Sequence, residues 1–139
     1  MSTIHVDIVS AEREIFAGDA EMVFAPAVLG EVGILPGHAP MLTQLRPGEV
    51  RVQLKGGEQQ AFYVSGGMLE VQPRVVTVLS DTALRAHDLD EAAVLKAKQE
   101  AEDAIKDRSG KIDLAKAQAE LAELAAQLQT IQRLRRRGG

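Results

Sequence analysis

His5, His38 and His87 are the first side chains to weigh for acid–base or metal chemistry in this 139-residue chain. A histidine metal site needs further ligands at fixed spacing, as in His-Glu-x-x-His, and no such run occurs. With no cysteine there is no thiol nucleophile, no cysteine zinc site and no disulfide framework. His5 falls on an outward position of an alternating strand and His87 beside a helix start, where both read as solvated histidines. His38, between Gly37 and Ala39-Pro40, reads as a contact or structural residue of a rigid loop. Gly30, Gly33 and Gly37 do not make a phosphate loop, because no Gly-Lys-Ser/Thr follows and no helix opens after them. Ser65-Gly66-Gly67 lacks the glycine two positions before the serine that a nucleophile elbow requires, and reads instead as a strand-to-strand turn with positive φ. Carboxylates are plentiful but scattered. These residues nominate no catalytic group, no metal ligand and no cofactor site, so the chain reads as something other than an enzyme.

The strongest charge cluster is Arg133-Leu134-Arg135-Arg136-Arg137. Two origins fit it: cations favoured at the negative end of a helix dipole, or a surface that meets an acidic protein partner. Nucleic acid fits poorly, since the chain carries a net charge of −4 and no aromatic residue interleaves the arginines.

The elements that position these residues fall into two regimes. All five prolines, all four aromatics and nine of the twelve glycines precede residue 85, after which Ala, Leu, Lys, Glu and Gln dominate. Ile4, Val6 and Ile8 alternate with polar residues, as do Val50, Val52 and Leu54, the period of strands with one buried face. Gly56-Gly57 predicts a hairpin into a strand through Phe62 and Val64, and the last strand is expected from Val75 to Leu79. Closely spaced turn signals predict an antiparallel β-sandwich or flattened barrel. Beyond it, Asp88 and Glu91 suggest a capping box, and Leu89, Ala93, Ala97, Ala101 and Ile105 form a stripe at spacing four. Ser109-Gly110-Lys111 breaks that helix, and Asp113 is placed to cap a second. Leu114, Ala117, Leu121, Leu124, Leu128 and Ile131 then recur as a heptad seam. The fold class is therefore α+β, a sandwich over residues 1–86 followed by an antiparallel two-helix hairpin over 87–139. With three alanines in its stripe, the hairpin should be weakly held. No apolar run approaches the ~20 residues of a membrane span, and the N-terminus enters strand alternation at once, as in a soluble intracellular protein.

Gly30-Glu31-Val32-Gly33-Ile34-Leu35-Pro36-Gly37-His38-Ala39-Pro40, Ser65-Gly66-Gly67-Met68-Leu69-Glu70-Val71 and Asp88-Leu89-Asp90-Glu91-Ala92 together resemble the epsilon-subunit family of bacterial F-type ATP synthases. The resemblance runs over essentially the whole chain, from Asp7-Ile8-Val9-Ser10-Ala11-Glu12 onward. It implies a non-catalytic central-stalk subunit, peripheral to the cytoplasmic face of the bacterial inner membrane, without cofactor or transmembrane segment. Its β-domain clasps the gamma subunit and rests on the polar loops of the c-ring, coupling proton-driven rotation to the catalytic head. Glu31, Val32 and Gly33 match the c-ring contact; His38 and the nearby Met41 match the gamma-facing region. The helices imply an intrinsic brake that extends toward the alpha/beta head, with Arg133, Arg135, Arg136 and Arg137 as its inhibitory tail. Some members bind regulatory ATP through Ile/Leu-Asp-x-x-Arg-Ala. Here Leu89 and Asp90 match, but Ala93 and Val94 replace the Arg-Ala pair. Two rival readings remain: an unrelated adaptor that docks a coiled coil, and a small β-barrel enzyme that no residue supports.

Overall fold

The computed structural model describes residues 2–89, 91–106 and 114–138. Ten strands come first: β1 (Ile4–Ser10), β2 (Glu14–Ala20), β3 (Met22–Ala27), β4 (Gly30–Ile34), β5 (Met41–Leu45), β6 (Gly48–Gln53), β7 (Gln59–Val64), β8 (Gly67–Val71), β9 (Val75–Ser80) and β10 (Ala83–Arg85). A 3-10 turn, Ala86–Asp88, leads to helices α1 (Glu91–Lys106) and α2 (Leu114–Gly138).

The strand order is β10-β7-β6-β3-β5-β8-β9-β1-β2, with β4 paired to the other edge of β3. Only Ala27 and Leu45 join β3 to β5, so the path folds there into two layers. The far ends nearly meet: Arg85 at β10 donates to the Ile15 carbonyl of β2 at 3.2 Å, and Phe16 and Phe62 pack with ring centroids 5.3 Å apart. The result is the flattened barrel that the turn spacing predicts. Ile4, Val6, Ile8, Val50, Val52, Val76 and Val78 are all fully buried between the layers, each worth about 1.5–3 kcal/mol of apolar transfer.

The secondary structure differs from the sequence expectations at several places. The pairing is antiparallel except for β1 and β9, which run parallel with His5 opposite Val75; β2 to β8 lie between them in sequence, long enough to return in the same direction. β9 is not the last strand, because three residues of β10 pair with β7. Asp88 lies in the 3-10 turn and α1 begins at Glu91, so the expected capping box is not formed. Ala93 is exposed while Val94, Ala97 and Ala101 face α2, because a strict spacing of four drifts off the 3.6-residue turn. On α2 the seam is in place: Ala117, Leu124, Leu128 and Ile131 are buried, and Leu121 packs beside them. An ion pair between Arg135 and Glu91 joins the end of α2 to the start of α1, which makes the hairpin antiparallel. The helix break at Ser109-Gly110-Lys111, the Asp113 cap, Asp90 and the side chains of Ile105, Leu114 and Arg137 lie outside the described residues.

His5 is more than a solvated histidine. Its Nε2 lies 3.1 Å from Asp7 and its Nδ1 3.2 Å from Asp19, so it ties β1 to β2. Hydrogen bonding to Asp19, with further help from Asp7, raises its pKa above the usual histidine value. A raised folded-state pKa adds stability below the ordinary value, and that stability is lost as pH rises through the raised one. The ring is 42% exposed, which holds the contribution below about 1 kcal/mol. His5→Gln should therefore destabilise the protein more at about pH 5.5 than at about pH 8.5 in denaturant titrations. An equal loss at both would mean the imidazole is not the titrating tie.

Candidate functional site

Strand alternation places Val50 and Val52 of β6 in the core, and so turns Glu49 and Arg51 to the outer face of the sheet. On that face Glu49 stands directly opposite Tyr63 of β7, and Arg51 opposite Phe24 of β3. Outward residues of a two-layer sandwich should be wet, yet Tyr63 is fully buried and Glu49 is 3% exposed. The cover is α2. The Tyr63 hydroxyl donates to the Glu123 backbone carbonyl at 3.4 Å. Burial drives the Tyr63 phenol well above its usual pKa, and the Glu123 charge adds to the shift. Thr130, 1% exposed, returns its hydroxyl to the Ala126 carbonyl one turn back, which lets a polar side chain sit inside the contact.

Toward the end of α2 this contact opens into a cleft of about 390 Å³, lined by Glu31, Glu49, Arg51, Arg133 and Arg136. Arg51 organises its floor. The guanidinium stacks 4.4 Å above the Phe24 ring, donates to Glu31 Oε1 at 2.6 Å and brings its Nε to 3.8 Å from Glu49 Oε1. That Nε is buried without a hydrogen bond among the described residues.

The residues expected to contact partners are distributed over more than one face. Glu31, Val32 and Gly33 lie in β4, hairpinned to β3. Glu31 is exposed, Val32 packs on the core, and Gly33 abuts Met22 and Phe24, where an added Cβ would meet Met22 Cε at 3.1 Å. His38 lies in the turn after β4 and its Nδ1 donates to the Ala39 carbonyl at 2.7 Å. That turn is fixed by hydrogen bonds from Gly37 to the Pro73 carbonyl and from His38 to the Leu35 carbonyl. Met41 opens β5 and is half-buried, beside Leu42 at 67% exposure. Arg133, Arg135 and Arg136 are exposed on the last turns of α2. Arg135 engages Glu91, while Arg133 and Arg136 share the cleft with Glu31. Two groups to which the sequence reading gave different partners thus meet in one place. Glu49 and Tyr63 were not singled out from sequence, because alternation alone cannot say that a helix will cover an outward position.

Among the described residues, no group of three His, Cys, Asp or Glu is placed to hold a metal, and no helix is long and apolar enough to cross a membrane.

The beta-sandwich domain of the ATP synthase delta/epsilon chain matches residues 3–86, and its long alpha-helix domain matches residues 87–132. A protein of Nitrosococcus oceani called ATP synthase epsilon chain is 66% identical over 99% of this chain and 98% of its own length. Its namesake in Alkalilimnicola ehrlichii is 63% identical over the same shares. Among solved structures, a chain of the Euglena gracilis mitochondrial ATP synthase, in an assembly of OSCP, F1 and c-ring, superposes with a TM-score of 0.81 at 22% identity, covering 91% of this chain and 79% of that one. A chain of the Tetrahymena thermophila mitochondrial ATP synthase central stalk and c-ring gives 0.59 at 16%, over 94% of this chain and 97% of that one. At these identities the two structures speak for the fold.

Proposed function

The chain belongs to the ATP synthase delta/epsilon family, as an epsilon chain, and from that premise we propose that it is a non-catalytic rotor subunit with a built-in brake. Residues 1–86 form the coupling domain, which clasps the gamma subunit through the region of His38 and Met41 and rests on the c-ring polar loops through Glu31, Val32 and Gly33. It works peripherally, at the cytoplasmic face of the bacterial inner membrane. Residues 87–139 form the regulatory domain, which leaves the sandwich, extends toward the alpha/beta head and opposes hydrolysis, with Arg133, Arg135, Arg136 and Arg137 meeting acidic surface there. The observation that carries the reading is how α2 is held. Its leucine seam faces α1, while its contact with the sandwich uses Tyr63, Thr130 and charged groups. A hairpin that keeps its own core and docks through polar contacts can leave without unfolding, as a two-state element must.

Truncation after Arg85 in the assembled enzyme tests this. It keeps β10 and removes the helices, so coupled synthesis should persist while ATP hydrolysis rises about fivefold or more. Unchanged hydrolysis would place the brake elsewhere.

Regulatory nucleotide would lack the arginine that the ATP-binding motif supplies. Ala93 stands where the ATP-binding members carry arginine, and α2 offers only Lys116 before Arg133. Loss of one charge-assisted pair lowers affinity roughly ten- to a hundredfold or more. Calorimetry with magnesium and micromolar ATP on the isolated chain should show no saturable heat. A micromolar dissociation constant would overturn that expectation.

A further inference from the structure

Glu49 is a carboxylate placed where its burial depends on which way the hairpin lies. Its side chain is 1% exposed on the outer face of β6, and the described element packed over that face is α2. A buried carboxylate needs cations to offset the hydration it loses. Arg51 supplies only part of this, because its short contact goes to Glu31 and its Nε stays 3.8 Å from Glu49 without a hydrogen bond. The remaining cations in the same cleft come from the other domain: Arg133 and Arg136 of α2. The sandwich lines this cleft with two carboxylates and one guanidinium, Arg46 lines the adjoining space beside Glu31 and Glu49, and docking of α2 brings in two further cations.

We infer that Glu49, with Glu31, and Arg133, with Arg136, form an electrostatic latch that holds the helical hairpin on the sandwich. The inference rests on the two-state reading proposed above and names what regulates it. Undocking exposes Glu49 to water, so removing its cationic partner favours release. Removing the carboxylate as well abolishes the need for that partner. Arg133 then acts on both sides of the equilibrium, as part of the latch when docked and of the inhibitory tail when extended. Because its latch partners are charged, the docked fraction should fall with rising salt.

The absence of cysteine allows a donor–acceptor dye pair at Glu58→Cys and Gln118→Cys in the full-length chain, which reports docking by energy transfer. At low salt, Arg133→Ala should lower the docked-to-undocked ratio by about tenfold or more. Adding Glu49→Gln should restore the ratio to that of Glu49→Gln alone. Ala126→Trp, which forces bulk into the contact between α2 and the sandwich, provides an undocked reference without touching the charges. Release by Ala126→Trp with no change in Arg133→Ala overturns the latch alone, as does an equal effect of Arg133→Ala with and without Glu49. A hairpin that stays docked even with Ala126→Trp overturns the two-state reading, and the latch falls with it.

Discussion

Replacing Gly67 with alanine should destabilise the sandwich by about 4 kcal/mol or more, a large share of any small domain's stability. Gly67 has φ of +121°, a conformation that side chains rarely adopt, and an added Cβ would lie 1.9 Å from the Leu79 carbonyl oxygen. That oxygen belongs to backbone in β9, so relief requires β8 and β9 to separate, and both carry core residues: Leu69, Val71, Val76 and Val78. Gly57 supplies the control, since its φ is +89° and nothing lies within 4 Å of its Cβ position. Alanine there should cost about 1–2 kcal/mol from backbone strain alone. In thermal unfolding the first variant should melt roughly 15–30 °C lower, the second by less than half of that. Matching shifts would show that close approach to Leu79 contributes nothing.

Leu128→Ala should release the hairpin while leaving the sandwich folded. Leu128 is 7% exposed in a small core shared with Val94, Ala101, Leu124 and Ile131, and two of the three α1 side chains described there, Ala97 and Ala101, are alanines that cannot expand into the space. Leu→Ala in such a site costs about 2–5 kcal/mol, more than a two-helix hairpin of this size can spare. Circular dichroism should lose helical signal at a temperature where amides of β1, β6 and β9 remain protected from exchange. One cooperative transition, shifted as a whole, would contradict the division of the chain between residues 86 and 87.

Much of this organisation is legible in the sequence because strand and helix periods differ. Val50-x-Val52 and Leu121-x-x-Leu124-x-x-x-Leu128 each identify a buried face without reference to anything distant. Pairing direction was not legible: nothing local in Ile4–Ser10 says that it will lie beside Val75–Ser80, let alone in parallel. Glu49 escaped for a related reason. Its burial is imposed by a helix some seventy residues further on, and no local pattern in β6 carries that information. Glu31, Val32, Gly33, His38 and Met41 are ordinary strand and turn positions of the sandwich, and only the resemblance singles them out.

The parallel pairing of β1 with β9 has a consequence for how the protein is made. During synthesis, β1 gains β2 as a neighbour early, but its other edge stays open until Val75–Ser80 emerges. At about 5–20 residues per second, that interval lasts several seconds. Through it, β1 and β2 are joined to no other strand of their own layer, although β3, β6 and β7 precede β9 in the chain, and a two-stranded ribbon is marginal in water. Completion of the barrel is therefore tied to the arrival of nearly the whole sandwich, and a nascent chain stalled before β9 should depend on chaperones that shield exposed strand edges.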